Sequence, residues 1–404
     1  MRQRKFKAPQ RKTQRRWRVP PALTHGEDGI EGLAVLDELP GESGLVLWQS
    51  LRDAMLWGRA PQAERAALFA SGAEPSRVAS ILAAGLPAEL ETPLKVVAQM
   101  VGTPESASEE SVSLACRQVS HWADAHGLLA VALAFMQAAA IVTPADAAIA
   151  YAVGRLARRR AEHARAETWY RRTIALARQS GDWPTYALAF VGLGNLYVQR
   201  GNFPAARRFH VRALRAANRN SLHEIEGMAQ HDLFGIAIET GNVREAGDLA
   251  RAAYEAYGPH HPRLPHLAHD VAYWWVTQGH FSRALPVLKL LRSHFSDPAM
   301  KLALLGDLGR AAGGVSEVGT FQEAWDAAAE LFGDPATEHA APRAYLDFAH
   351  GALSLGKWDR AEEAASKALD GATRRADAKT RLTAEALAEA SRRHQRAQQQ
   401  PASP

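Results

Sequence analysis

The stretch AFVGLGNLYVQRGNFPAARRFHVRAL (residues 189–214) decides the fold. Its first half contains Gly192-Leu193-Gly194-Asn195, which looks like the start of a glycine loop around a phosphate. Such a loop needs a strand before it, a helix start after it and a third glycine at fixed spacing. The chain offers none of these here, and small and apolar residues instead follow the helical spacing i, i+3, i+4 and i+7: Phe190, Leu193, Gly194 and Tyr197. We therefore predict a helix in which Gly194 permits close contact with a neighbouring helix and Asn195 is the residue placed to touch a ligand.

The second half of the stretch recurs along the chain. Four segments align on a glycine, a bulky residue and then small residues: GNFPAARRFHVRAL (201–214), GNVREAGDLARAAY (241–254), GHFSRALPVLKLLR (279–292) and GKWDRAEEAASKAL (356–369). An apolar pattern of helical period precedes each glycine. Glycine suits the left-handed conformation that ends a helix, and small residues let two antiparallel helices approach closely. The repeated unit is therefore helix, short turn, helix.

This unit resembles the tetratricopeptide repeat. Residues 187–220 match the family pattern at its Leu-Gly, Tyr and two Ala positions, and only His210 departs, because the family has an aromatic residue there. Further units start near residues 113, 147, 227, 265, 299 and 342, at spacings of 34 to 43 residues. We expect the unit at 299 to have a lengthened turn within RAAGGVSEVGTF (310–321). The resemblance implies an all-α fold, a right-handed α-solenoid (superhelix) of TPR-like helical hairpins.

The pattern predicts four segments along the chain. The first is a basic, disordered arm and linker, and the second is an N-terminal helical region of degenerate or divergent repeats. The third is the repeat solenoid, and the fourth is a charged capping helix with a disordered tail. In order, these cover residues 1–41, 42–104, 105–371 and 372–404.

Composition limits the class of protein. Ala and Leu dominate an apolar content of 47%, which favours helices over a β-rich fold. The single cysteine excludes an intramolecular disulfide and suits a reducing cytoplasm. The most apolar run, residues 127–142, is too short to span a membrane, and no apolar segment follows the basic N-terminus as in a secretory signal. We expect a cytoplasmic protein without a transmembrane segment.

No catalytic motif is present in the sequence. It contains neither a P-loop nor a nucleophile elbow, and HEIEG (223–227) lacks the second histidine of a zinc protease motif. In the histidine-rich stretch 260–269, His266 and His269 are spaced to share a helix face. A metal site and a polar loop between repeats both fit this spacing, and the scarcity of nearby carboxylates favours the loop. We expect no enzyme activity, no metal and no cofactor.

The resemblance also implies a binding surface. In the family, a partner peptide or helix contacts positions 2, 5, 9, 12 and 13 of the first helix of each repeat. Carried over position by position, the groove residues are Arg155, Arg158, Arg159, Asn195, Gln199, His231, His266, His269 and Tyr273, with Glu239 beside them. Arginine pairs with carboxylates and an amide bonds to peptide backbone, so this lining suits an acidic or extended peptide. An ordinary solvated helix face is the alternative. The family's carboxylate clamp requires Lys at position 5, where Val191 stands.

The N-terminus carries a separate charge pattern. Residues 1–26 contain no acid and nine basic residues: Arg2, Arg4, Lys5, Lys7, Arg11, Lys12, Arg15, Arg16 and Arg18. The remaining chain has 39 basic and 43 acidic residues, so the net charge of +5 belongs to the arm. Nucleic acid, an anionic membrane surface and no function at all are the three alternatives for this arm.

The most direct interpretation is a non-catalytic adaptor or scaffold for protein–protein interaction, which binds a partner peptide or helix in the concave groove of the solenoid. The alternative is a sensor similar to bacterial regulators with repeats of this length. It would act in transcription or an RNA-linked process and contact nucleic acid through the basic arm. Residues 61–101 are where a DNA-binding element would have to lie.

Overall fold

The computed structural model describes residues 32–375 and 377–399. Within these ranges the regular secondary structure is helical and no β-strand occurs. These residues divide into two compact units, the first ending at Ile236 and the second beginning at Ala237. In both units successive helices pack as antiparallel hairpins, which confirms the predicted all-α fold of TPR-like helical hairpins.

The first unit begins with helices of very different lengths and continues as regular hairpins. Its helices are α1 (Leu33–Glu38), α2 (Glu42–Arg59), a 3₁₀ helix (Gln62–Ala67), α3 (Ala73–Ala83), α4 (Ala88–Gly102), α5 (Glu109–Ala125), α6 (Leu129–Val142), α7 (Ala147–Arg159), α8 (His163–Ser180), α9 (Trp183–Gln199), α10 (Phe203–Arg219) and α11 (His223–Glu239), whose last turn enters the second unit. The helices expected between residues 43 and 101 are therefore present.

The second unit continues the hairpins and ends on a long polar helix. Its helices are α12 (Val243–Tyr257), α13 (Leu264–Thr277), α14 (Phe281–Leu291), α15 (Pro298–Gly314), α16 (Val318–Ala329), a 3₁₀ helix (Pro335–Thr337), α17 (Ala341–Ser354), α18 (Trp358–Arg374) and α19 (Ala378–Gln399). Helix α19 packs on α18 where the capping helix was expected.

The turns inside the hairpins share one length and one backbone conformation. Each has three residues, and the middle residue has a positive φ: Gly127, Ala161, Gly201, Gly241, Gly279, Ser316 and Gly356. At Gly201, whose φ is 67°, the next amide, that of Asn202, donates to the carbonyl of Tyr197 at 2.9 Å and closes the helix end. Asn202 then caps the following helix, because its side chain accepts from the amide of Ala205.

The predicted long turn of the unit at 299 is wrong. Helix α15 continues through Gly313 and Gly314, and the turn is the usual three residues, with Ser316 at φ 64° in the left-handed position. The extra length lies instead after α16, in the connection that holds the 3₁₀ helix Pro335–Thr337. A serine in the position that glycine usually occupies concealed the turn from the sequence pattern.

Glycines inside the helices of the first unit mark close contacts with rings. A Cβ on Gly192 would lie 2.4 Å from the ring of Tyr170, and one on Gly194 would lie 2.3 Å from Nε2 of His210. Both rings are fully buried. The predicted role of Gly194 in close helix contact is confirmed, and Gly192-Leu193-Gly194-Asn195 lies in the middle of α9.

The second unit contains a similar seam between α15 and α17. A Cβ on Gly309 would lie 2.5 Å from the ring of Phe348, and one on Gly313 would lie 2.3 Å from the carbonyl oxygen of Gly351. Small residues on both helices therefore let two backbones approach, with Phe348 filling the space beside them.

Candidate functional site

In the first unit, the predicted arginines lie on α7 and two of them contact α5. Nη2 of Arg155 lies 3.0 Å from Oδ2 of Asp124, and Nη1 of Arg159 donates to Oδ1 of the same carboxylate. Both arginine side chains are 38% exposed, whereas that of Asp124 is 18% exposed. One carboxylate therefore orients two guanidinium groups that remain accessible to water.

Arg158 has a different environment. Its Nε is buried without a hydrogen-bond partner, and the guanidinium lies close enough to the buried Tyr170 to act on its phenol. Burial raises the pKa of Tyr170 to about 12, against the opposing positive charge of Arg158. The ring of Tyr151 lies 5.8 Å from that of Tyr170. Arg158 therefore packs beside an aromatic pair as well as lying on the polar face of α7.

Helix α9 contributes two side-chain amides. Asn195 is half-buried and Gln199 is exposed, and neither has a hydrogen-bond partner among the described residues. On α5, Arg117 is half-buried and likewise has no carboxylate partner in that part of the chain. Polar groups on α5, α7 and α9, the first helices of three successive hairpins, are thus available to a ligand. His231 lies on α11, half-buried, with its ring 6.5 Å from that of Phe234.

In the second unit, the predicted residues of α13 differ sharply in exposure. His266 is exposed and its ring meets Phe295 edge-on at 5.1 Å. His269 is buried, with Nδ1 at 3.2 Å from Oδ1 of Asp270 and Nε2 at 3.2 Å from Oδ2 of Asp307. The Asp307 contact is an ion pair whose angle does not make a well-formed hydrogen bond.

His269 is a structural cation in this arrangement. Burial alone would disfavour its charge, but Asp270 and Asp307 outweigh burial and raise the pKa of His269 to about 9. The imidazolium therefore connects α13 to α15. Because both ring nitrogens lie against carboxylates of this chain, neither nitrogen of His269 is available to a ligand.

The charges continue from α15 to α17. Arg310 donates to Oδ1 of Asp347 at 2.9 Å, and the guanidinium of Arg343 stacks on Tyr273 at 4.1 Å from the ring centre. Burial, together with the carboxylate of Asp307, raises the pKa of Asp347 to about 6. Burial and the charge of Arg310 lower the pKa of His350 to about 4. We call these seven residues the charge network: His269, Tyr273, Asp307, Arg310, Arg343, Asp347 and His350.

Sequence reasoning found two members of the charge network and missed five. The signal was available for four of them, because Asp307 and Arg310 occupy positions 9 and 12 of the unit at 299, and Arg343 and His350 occupy positions 2 and 9 of the unit at 342. Those are the groove positions that identified Tyr273. Asp124 had the same signal, at position 12 of the unit at 113.

The nine basic residues of the N-terminal arm lie outside the described residues. Within residues 32–375 and 377–399, no cluster of His, Cys, Asp or Glu is arranged to hold a metal ion. Over the same ranges, no helix has the length and apolar character needed to cross a membrane.

The repeat pattern is matched by a known family. The sequence profile of the tetratricopeptide repeat matches residues 146–219. This range spans α7 to α10 and includes the three arginines of α7. Residues 146–219 are tetratricopeptide repeats. The recognition made from the sequence is thereby confirmed for the stretch that carried it.

The chain is similar in fold to one solved structure, and a second matches it more weakly. A Rap protein complexed with Competence and Sporulation Factor is 9% identical, with a TM-score of 0.50, and the match covers 86% of this chain and 99% of that one. BtubC (BKLC) from P. vanneervenii is 16% identical over 56% of this chain and 91% of that one, with a TM-score of 0.41. At such identities the likeness concerns the fold alone. A search among curated proteins found no match.

Proposed function

We propose that the chain is a non-catalytic protein-interaction module in the cytoplasm, and that its first unit binds an acidic, extended segment of a partner protein. The surface responsible is the arginine surface, which we define as Arg117, Arg155, Arg158, Arg159, Asn195 and Gln199. The observation that carries the proposal is its charge: the surface has four arginines and no acidic member, and Asp124 pairs with only two of them, Arg155 and Arg159. Helices α7 and α9, which carry most of the surface, lie within the matched tetratricopeptide repeats.

Asp124 prepares this surface without neutralising it. A guanidinium has five N–H donors, and each of Arg155 and Arg159 places a donor on Asp124, so most of their donors stay available for a partner's carboxylates. Holding both side chains in one geometry also lowers the rotamer entropy that they lose on binding. The pair is therefore a preorganised receptor for carboxylate groups.

The amides of α9 supply the complementary contact. Asn195 is half-buried and without a partner among the described residues, so its oxygen and its NH₂ group can both bond to a peptide backbone. An extended peptide exposes its backbone groups for such bonds, whereas a helix satisfies them internally. The combination of arginines and an unpartnered amide favours an extended acidic segment over an acidic helix.

The test measures binding of a fluorescein-labelled polyglutamate peptide by anisotropy, with labelled polylysine as the opposite probe. Wild type should bind polyglutamate more weakly as salt rises, because exposed charges are screened. The variant Arg155→Glu with Asn195→Ala should lose about tenfold or more in affinity, since a charge-assisted contact is inverted and an amide removed.

The matched control is Arg212→Glu, which inverts a charge that lies on α10 and stacks on Phe190 and Phe209. It should leave the affinity for polyglutamate near that of wild type. Asn195→Ala alone preserves the ion pairs of Asp124 and separates loss of binding from loss of folding. Equal binding of both peptides, or equal losses in the groove variant and the control, would contradict the proposal.

A further inference from the structure

A second concave site lies in the first unit, near its beginning. Helix α2, the segment after the first 3₁₀ helix and the start of α3 enclose a cavity of about 530 Å³. This lies within the range of roughly 300–1,000 Å³ that is usual for small-molecule sites. No residue of the arginine surface lines it.

One wall of this cleft carries a cation without a counterion. Arg52 is exposed, and its guanidinium carbon lies 4.9 Å from the ring centre of Trp48, one helical turn earlier on α2. No carboxylate pairs with Arg52 among the described residues. The stacked indole holds the guanidinium in place, and the side chain stays exposed to water.

The remaining charges do not neutralise Arg52. Arg77 donates from Nε to Oδ2 of Asp53 at 2.8 Å, so the one carboxylate that lines the cleft among the described residues is already engaged. The cleft therefore carries an excess of positive charge.

The other surfaces of the cleft are apolar and partly open to water. Leu56, one further turn along α2, is 47% exposed, and Leu68 and Phe69 on the opposite side are half-buried. A ligand with a flat apolar body would cover these side chains. The cation and the apolar lining occupy the same cavity, so a complementary molecule has an anionic group as well as an apolar body.

The cleft is built before any ligand arrives. Arg65, at the centre of the 3₁₀ helix, is buried, lies 4.0 Å from the ring centre of Trp57 and pairs with Glu109 at 2.8 Å. Trp57 in turn donates from Nε1 to the carbonyl oxygen of Pro104 at 2.6 Å. These contacts fix the segment that carries Leu68 and Phe69, which lowers the entropy lost on binding.

We propose that this cleft binds a small aromatic anion, with the acidic group on Arg52 and the ring between Trp48, Leu56 and Phe69. The site would serve as a ligand-sensing position separate from the arginine surface. An aromatic carboxylate or sulfonate is the class of ligand that meets both requirements.

The test uses two fluorescent probes with the full chain: anilinonaphthalene sulfonate, an aromatic anion, and phenylnaphthylamine, which has a similar body and no charge. Wild type should bind the sulfonate more tightly than the neutral dye. Arg52→Gln should weaken the sulfonate about tenfold, the scale of a lost charge-assisted hydrogen bond, and change the neutral dye by less than about twofold.

Two further variants make the result decisive. Arg212→Gln removes another exposed arginine that stacks on aromatic rings, on α10 and away from the cleft, and should leave both dyes unchanged. Ala70→Trp places a bulky ring at an exposed position of the cleft lining and should abolish binding of both. Helical circular dichroism equal to wild type shows that each variant has folded. Unchanged sulfonate affinity in Arg52→Gln, or an equal loss in Arg212→Gln, would overturn the proposal.

Discussion

At the scale of single residues, the absence of a side chain determines which helices approach each other. Gly192 and Gly194 lie two residues apart on α9 and face different buried rings, Tyr170 on α8 and His210 on α10. Alternate faces of one helix therefore receive rings from the helices before and after it. A phosphate plays no part in this arrangement, and the glycines are explained by packing.

The variant Gly194→Ala tests this packing. The new Cβ would lie 2.3 Å from Nε2 of His210, a ring with no free space around it, so we expect a loss of about 1–3 kcal/mol in the free energy of unfolding. Urea unfolding followed by circular dichroism measures it.

Gly235→Ala is the matched control, because that glycine is also helical and a Cβ added to it would meet no atom within 4 Å. There the better helix propensity of alanine should stabilise the protein by up to about 1 kcal/mol. If Gly235→Ala lowers the free energy of unfolding as much as Gly194→Ala does, contact with the His210 ring is not the cause of the loss.

The role of a residue was predictable only where the repeat pattern itself places the neighbouring residue that it contacts. The close contact of Gly194 followed from its place at the Leu-Gly position of the repeat. The ion pairs of Asp124 did not, because Asp124 and Arg155 are 31 residues apart and meet only when α5 packs near α7. Charge and position identified the arginines, whereas the contact that orients them depends on the packed helices.

At the scale of helices and turns, the left-handed residue of each hairpin turn limits the sequence. Five of the seven turns in the described residues place glycine there, and Ala161 and Ser316 are the exceptions. A side chain in this conformation costs about 1–2 kcal/mol, which glycine avoids. The two non-glycine turns are therefore sites of avoidable strain.

The variant Ser316→Gly should stabilise the protein by about 1 kcal/mol, because the exposed serine loses no contact and the strain disappears. The reverse change, Gly356→Ser, places a side chain at φ 69° in the equivalent turn and should destabilise by a similar amount. Thermal unfolding of both variants measures the pair. Shifts of the same sign would refute the explanation by strain.

The charge network predicts how stability depends on pH. The pKa of His269 is about 9, above its ordinary value of 6.5, so its charge stabilises the folded state fully below pH 6.5. That contribution is lost as pH rises from 6.5 through 9. Asp307→Asn removes the buried partner and should cost about 2–3 kcal/mol at pH 6, with a smaller difference from wild type near pH 10.

Urea unfolding at the two pH values checks this, together with the NMR titration of His269, whose pKa should fall in Asp307→Asn. Asp270→Asn is the control, because the side chain of Asp270 is 42% exposed whereas that of Asp307 is 3% exposed, and water screens the exposed partner. Equal effects of the two variants would contradict the larger contribution expected of Asp307 from its burial.

The hairpins themselves were predictable, since their periodicity recurs in register. The turn of the unit at 299 was not, because alignment on glycine fails where serine takes the left-handed position. Four of the five missed members of the charge network had no such obstacle, and extending the groove positions to every unit would have found them. Asp347 lies at position 6 of its unit, outside the groove positions.

At the scale of the whole molecule, charge is distributed unevenly. Nine basic residues and no acid occupy residues 1–26, while the rest of the chain has an acidic excess. Positive groups at this density release counterions from a polyanion on binding, and the affinity then falls steeply with salt. This gives the alternative role in a nucleic-acid-linked process a direct test.

A gel shift with duplex DNA and with single-stranded RNA compares the full chain with a variant that lacks residues 1–26. If the arm contacts nucleic acid, the full chain should shift either probe at low salt, and the shorter chain should bind at least about tenfold more weakly. A shift that survives the deletion would place the contact elsewhere, and the absence of any shift leaves the protein-interaction role.

By itself, the sequence determined the fold class, the hairpin unit and the placement of three arginines on one helix, α7. Each of these depends on residues within one helical repeat. Tertiary structure alone decided which polar groups are available. The buried His269 is held by Asp270 and Asp307, whereas Asn195 is left without a partner among the described residues. It also decided that Arg52 stacks on Trp48 above an open cleft while Arg77 is paired with Asp53. Burial and pairing depend on which helices meet, and that is set by side-chain packing across many residues of sequence.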